Sequence, residues 1–261
     1  MPEDIEIYEL KKMDVRGATV IDGFPSVGLV SSIVANYLIN TLKLVQIGTM
    51  DSIYFPTVSL VREGMPHNPV RIYAGEKVGS GPNSMDQLVV FISEFQPPPN
   101  LVKPIASAML DWAQDQRCKM LVSPEGLVID TESIDMDDDE RSKLGVYGVA
   151  STEWMREELA KSGVSEFTEG VITGVAGVLL NEGKRRDFNV ATVLAEAHPD
   201  YPDARAAAKV MEFIDKLLLH IDLDVTPLYQ EAERIEAQLK TIHRQTKDTK
   251  TPGQNQPSMY G

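Results

Sequence analysis

The sequence predicts an α/β fold with a largely parallel sheet. Short β-type runs alternate with helical patterns over most of the chain, and the first of them turns into an apolar helix at Gly23-Phe24-Pro25. The 261 residues are 43% apolar and 25% charged, ordinary for a globular protein with a sizeable core.

Ala18–Ile21 reads as the first strand. Gly23-Phe24-Pro25 then turns into an apolar helix from Ser26 to about Thr41. Val45–Thr49, Thr57–Val61, Val70–Ala74 and Leu88–Ser93 follow as four strands with no helix between them. Connections that short suit antiparallel neighbours, so a meander is expected inside the otherwise alternating fold. After Pro97-Pro98-Pro99, Asn100 is placed to cap a helix to about Gln116, with Lys119–Ser123 as the next strand. Val146–Ala150 is a strand, Thr152 caps a helix ending near Ser162-Gly163, Gly170–Gly183 reads as a buried helix, and Val190–Ala195 is the last strand.

The C-terminal third opens with a loop, His198-Pro199-Asp200-Tyr201-Pro202, closed by Asp203 as an N-cap. Ala206, Val210, Phe213, Ile214, Leu217 and Leu218 then form one helical stripe. A second helix is expected from Thr226-Pro227, with Pro in the first turn where its missing N–H costs nothing. Its apolar residues Leu228, Ala232, Ile235, Leu239 and Ile242 form a heptad seam too short for a free coiled coil. The seam needs a surface, either its own domain or a neighbouring subunit. These readings divide the chain into an α/β core at 1–222, a heptad helix at 223–246 and a tail at 247–261. The tail is polar until its last three residues and is predicted to be disordered in isolation.

Charge and composition exclude several functions. A net charge of −14 argues against nucleic acid, whose phosphates are bound by clustered Lys and Arg. The first residues, Met1-Pro2-Glu3-Asp4, are acidic where a signal peptide is basic, and no apolar run reaches the length of a membrane span. Neither export nor membrane insertion is expected, and the cytoplasm is the expected compartment. The single cysteine, Cys118, precedes the apolar run Met120-Leu121-Val122 and is read as core packing.

No linear catalytic constellation is present. Gly23 to Gly28 has a glycine spacing like that of a phosphate loop, and Gly23, Ser26 and Gly28 are the candidate anion-binding residues. Leu29-Val30 stand where Lys and Ser or Thr belong, so a tight structural turn is the stronger reading. Gly170, Gly174 and Gly177 suggest close helix approach. The run Asp135 to Glu140 lacks the glycine and distal Glu of a calcium loop. Glu125-Gly126 is placed just beyond a strand's carboxyl end, where α/β proteins build sites. His67, His198, His220 and His243 have no metal-ligand spacing, so no metal and no cofactor are expected.

The chain ends Ser258-Met259-Tyr260-Gly261. Apolar and aromatic residues at the end of a solvating segment suit a docking peg, with Met259 and Tyr260 filling a pocket and the Gly261 carboxylate meeting a basic group.

Four segments together resemble the proteasome assembly chaperone 2 family in its archaeal form: Gly23 to Val30, Glu94-Phe95-Gln96, Gly170 to Gly177, and His198 to Ala204, within a likeness spanning roughly residues 15 to 222. The resemblance implies a three-layer α/β/α sandwich similar to the nucleoside phosphorylase fold, a homo-oligomer such as a tetramer or pentamer, and no catalysis. It also implies a partner. Proteasome activators and assembly chaperones often end in hydrophobic-Tyr-any residue, which docks between α subunits of the 20S core, and Met259-Tyr260-Gly261 matches position by position. Assembly factor and activator both stay open, and the rival reading is a nucleotide- or small-molecule-binding enzyme using the Gly23 to Gly28 turn.

Overall fold

The computed structural model describes residues 5–75, 87–128, 145–219 and 222–234. A nine-stranded sheet runs through the middle. Its strands are β1 (Glu6–Glu9), β2 (Thr19–Gly23), β3 (Val45–Asp51), β6 (Val70–Ala74), β7 (Leu88–Ser93), β8 (Met120–Val128), β9 (Val146–Ala150), β10 (Ser165–Glu166) and β11 (Val190–Ala197). The order across it is β1-β3-β6-β7-β2-β8-β11-β9-β10. β7, β2, β8 and β11 are parallel neighbours and form the central half. The β1, β3, β6 and β7 side is antiparallel, the meander expected from the short connections.

Helices cover both faces. One face carries α1 (Val30–Thr41), α3 (Glu153–Lys161), α5 (Ala204–Ile214) and the helix α6 at 226–234. Val34, Leu38, Met155, Leu159, Val210, Ile214 and Leu228 pack there in one cluster. The other face carries α2 (Pro99–Asp115) and α4 (Gly174–Arg186), whose Ile105, Met109, Leu110, Val175 and Leu179 meet Val20, Val89, Phe91 and Leu121. The fold is therefore a three-layer α/β/α sandwich. Among the described residues, no helix is long and apolar enough to cross a membrane.

Local chemistry explains most element ends. The Thr152 hydroxyl accepts from the Met155 N–H at 3.3 Å and the Asp203 carboxylate from the Ala206 N–H at 2.9 Å, so both act as N-caps. Asn100 does not cap α2. Pro99 fixes the helical φ one residue earlier, so the helix starts on it and Asn100 lies in the first turn.

Other expectations shift. The strand expected at Thr57–Val61 begins at Leu60, because Glu63 and Gly64 (φ 51° and 78°) turn the chain into a separate hairpin of β4 (Leu60–Arg62) and β5 (Met65–His67). β8 continues past Ser123 to Val128, which puts Glu125-Gly126 inside a strand paired with Leu194-Ala195. α4 starts at Gly174, so residues 170–173 are a lead-in loop. The glycines there serve that loop more than helix contact: a Cβ on Gly177 would stand 2.3 Å from the Ile172 carbonyl oxygen, and one on Gly170 2.3 Å from the Phe167 ring. Two buried seam residues, Leu228 and Ala232, sit on α6, whose Tyr229 hydroxyl donates to Glu212 of α5 at 2.9 Å. Ile235, Leu239, Ile242, the acidic run at 135–140, His220, His243 and the tail with Met259, Tyr260 and Gly261 lie outside the described residues.

Candidate functional site

The carboxyl ends of β2 and β7 lead to helices on opposite faces of the sheet. In α/β folds that divergence opens a crevice at the strand ends. Here the crevice is a cavity of about 400 Å³ bordered by Phe24 to Val27 after β2, Gln96 after β7, Glu125 to Val128 of β8, and Val171 to Val175 at the start of α4. Residues from three of the four segments singled out in the sequence line it.

The turn after β2 is built to hold itself. Phe24 N–H donates to the Asp22 carboxylate at 3.0 Å, Ser31 N–H to the Ser26 hydroxyl at 3.1 Å, and the Ser31 hydroxyl to the Phe24 carbonyl at 2.6 Å. Leu29 N–H donates to the Ser26 carbonyl at 2.9 Å. These pairings already engage donors that a phosphate would need.

Gly28 (φ 60°) closes the other side. A Cβ there would lie 2.9 Å from the His198 carbonyl, and the Gly28 carbonyl accepts from Asp203 N–H at 2.7 Å. This couples the turn to the loop before α5, the fourth segment. Gly126 is tighter still, because a Cβ would meet the Val27 carbonyl oxygen at 2.2 Å.

Beneath the turn the sheet carries a buried polar group of side chains. Asp22 is 1% exposed and accepts from the Ser123 hydroxyl at 3.0 Å. Burial pushes its pKa up to about 6, against the two hydrogen bonds that favour its ionised form. Glu125 lies two residues along β8 on the same face, hydrogen-bonded by the Ser26 hydroxyl. Its pKa is raised well above the usual carboxylate range, first by desolvation and then by the Asp22 charge. No Lys, Arg or His borders the cavity among the described residues. Gly23, Ser26 and Gly28 are thus brought together, beside acid and not beside a cation, which is poor chemistry for an anion.

Glu94 has a different role. It pairs with Arg71, whose guanidinium is fully buried, and with Arg62 at 2.9 Å. Arg71 also donates to the Asn68 carbonyl at 3.0 Å and the Tyr73 hydroxyl at 3.2 Å. Cys118 is 7% exposed, and burial pushes its thiol up to about 12, which fits packing and not reactivity. His67 lies in β5, and the His198 ring stacks on Tyr201. No group of three or more metal-ligating side chains forms among the described residues.

Two features of this site were missed in the sequence. Asp22 stands at the end of an otherwise apolar strand, a signal that could have marked it. Nothing in the sequence signalled the Glu94–Arg71 pair, which joins strand ends 23 residues apart.

A family model described as the PAC2 family matches residues 20–243. The chain belongs to the PAC2 family. That match reaches beyond residue 222, through α6 as far as residue 243. Among solved structures, PbaA of Pyrococcus furiosus, described as an archaeal homolog of proteasome-assembly chaperone, superposes with a TM-score of 0.78 at 33% identity, covering 94% of each chain. PbaB of the same organism, described as an archaeal proteasome activator, shares the fold with a TM-score of 0.77 at 23% identity, covering 92% of this chain and 99% of its own. An uncharacterized protein of Methanocaldococcus jannaschii is 25% identical over 260 residues, the full length of both chains.

Proposed function

We propose that this PAC2-family protein is a non-catalytic partner of the 20S proteasome core particle, acting in the cytoplasm as an assembly factor or as an activator. The observation that carries the reading is the 33% identity, over 94% of each chain, with a protein described as a proteasome-assembly chaperone homolog. The Met259-Tyr260-Gly261 triplet supplies the means. In this reading Met259 and Tyr260 enter a pocket between α subunits, and the carboxylate of Gly261 pairs with a basic group on its wall.

The body's task is multiplicity. If residues 247–261 behave as a loose chain, as this reading requires, about 15 residues have a root-mean-square reach of roughly 20 Å, and a three-residue contact alone binds weakly. A homo-oligomer of four or five copies brings several tails to one ring and raises avidity by on the order of 10²- to 10⁴-fold. Leu228 and Ala232 are buried at the start of the seam. In this reading Ile235, Leu239 and Ile242 continue it along the helix that launches the tail.

The test compares core-particle binding by four forms: the chain ending at Gly261, the same chain lacking Met259–Gly261, Tyr260→Ala, and a chain extended past Gly261. The first is expected to bind, and the other three to lose binding while keeping its oligomeric state. Equal binding by all four refutes the docking motif, and a monomer in light scattering at micromolar concentration refutes the avidity argument. Peptide hydrolysis by the mature core then separates an activator, which accelerates it, from an assembly factor, which does not.

A further inference from the structure

The cavity at the ends of β2 and β8 has no part in the docking reading. Its walls are mixed: Val27, Leu127, Val171, Ile172 and Leu194 supply an apolar side, polar groups supply at least as much of the surface, and the one bordering ionisable group is Glu125. Its volume, about 400 Å³, lies at the small end of ligand sites.

Behind Glu125 the polar side chains continue across three strands. Ser123 and Glu125 of β8 stand in register with Thr192 and Leu194 of β11 on the face that covers α2 and α4, and Asp22 of β2 bonds to Ser123. Thr192 is fully buried, and its hydroxyl has no hydrogen-bond partner among the described residues. A stripe of two acids and an unpartnered hydroxyl in a layer otherwise filled by Val, Leu and Phe costs stability as it stands. An occupant that supplies donors and positive charge to Glu125, the member of the stripe that borders the cavity, lowers its share of that cost.

We propose that this cavity binds a small aliphatic amine, its ammonium group pairing with Glu125 and its apolar stem lying against Val27, Leu127, Val171 and Ile172. The chemistry selects against the alternatives. A phosphate or nucleotide would face a carboxyl group with no basic side chain at the border, and a purely apolar ligand would leave Glu125 and its hydrogen-bond capacity unmet. The protein's net charge of −14 draws cations towards it. One positive element also borders the cavity, the N-terminal end of α4, where the Thr173 side chain makes no cap bond. Its dipole favours an acceptor at the far end of the ligand, so a 4-aminobutanoate-type molecule fits at least as well as a plain alkylamine.

Binding is coupled to a proton. Facing Glu125 are Asp22 from β2 and the Ser26 hydroxyl from the turn, with no titratable group from α4. Burial raises the Glu125 pKa and a bound ammonium lowers it, so binding releases a proton wherever the carboxyl of the free site is still protonated. Affinity therefore rises with pH, approaching about tenfold per pH unit below the Glu125 pKa, and levels off above it.

The experiment titrates the full chain with butylamine, 4-aminobutanoate, butanoate and inorganic phosphate, by calorimetry and saturation-transfer NMR, between about pH 6 and about pH 8. Wild type, Glu125→Gln and Val171→Trp are compared, the last placed at an 82% exposed position on the rim. The expected result is binding of one or both amines, tighter at higher pH, with proton release in buffers of different ionisation enthalpy. Glu125→Gln, which keeps a neutral side chain of the same shape, weakens binding by at least about tenfold and removes the pH dependence. Val171→Trp blocks access. No amine binding at tens of millimolar, unchanged binding by either variant, or binding of butanoate or phosphate as tight as the amines overturns the proposal.

Discussion

Asp22→Asn should stabilise this protein, and only above a defined pH. The folded state raises the Asp22 pKa from 3.8 to about 6, chiefly by burying it. Below pH 3.8 the residue is protonated folded or unfolded, and the burial costs nothing in linkage terms. Between the two values the folded state holds a proton that the unfolded chain has released, so stability falls as pH rises. Integrated over this interval, the loss is about 1 kcal/mol at about pH 4.5 and about 3 kcal/mol above about pH 7. Asn has no such cost. Its carbonyl oxygen keeps the Phe24 N–H bond, but its amide faces the Ser123 hydroxyl, which must turn to accept instead of donate. That rearrangement costs about 1 kcal/mol. The net change is then near zero at about pH 4.5 and a gain of about 2 kcal/mol at about pH 7.5, worth about 5 °C in melting temperature for a chain of this size. Thermal melts of both forms at the two pH values measure it. A gain equal at both pH values, or a loss at the higher one, refutes the argument that desolvation outweighs the Phe24 and Ser123 hydrogen bonds.

Two further substitutions separate the roles of neighbouring segments. Glu94→Gln removes the counter-charge from a guanidinium that is fully buried; because Glu94 itself is 29% exposed and solvent screens the pair in part, the expected loss is about 2 to 3 kcal/mol, read in urea unfolding. A variant as stable as wild type would mean that the Asn68 carbonyl and the Tyr73 hydroxyl suffice for Arg71. Gly126→Ala drives a Cβ to 2.2 Å from the Val27 carbonyl oxygen, which belongs to backbone and cannot swing away, so a loss of about 2 to 3 kcal/mol in the same assay is expected. A neutral result would show that the 24–28 turn is looser than its hydrogen bonds imply.

Where a pattern was local, it could be read directly. Val70–Ala74, Leu88–Ser93 and Val146–Ala150 are bounded as expected, because each is a dense β-type run between breakers. The caps Thr152 and Asp203 act through their own next turn and need no tertiary information. β1 escaped notice because Glu6–Glu9 is a largely exposed edge strand with few apolar residues, held by pairing with β3 and not by its own pattern. The length of β8 escaped for a related reason. Pro124, Glu125 and Gly126 are poor strand formers, yet the parallel partner β11 carries the ladder through them to Val128. The cavity lay furthest from view, since its residues come from five separated stretches and only the topology of β2, β7, β8 and β11 assembles them.

That assembly bears on what the family likeness can carry. Gly23 to Val30, the loop from His198 and the lead-in to α4 meet at one junction, where Gly126 approaches the Val27 carbonyl and Gly28 the His198 carbonyl. Close approach of backbone to backbone is a demand of the fold, met in this chain whether or not the cavity holds a ligand. Those segments therefore have a structural reason to be as they are that owes nothing to a proteasome. The docking reading rests on Met259-Tyr260-Gly261, a part of the chain on which none of these contacts depends. The two proposals are for this reason separable by experiment: deleting Met259–Gly261 leaves Glu125 and its cavity untouched, and Glu125→Gln leaves the tail untouched. A protein in which either change disturbed both functions would have a coupling between cavity and tail that these contacts do not supply.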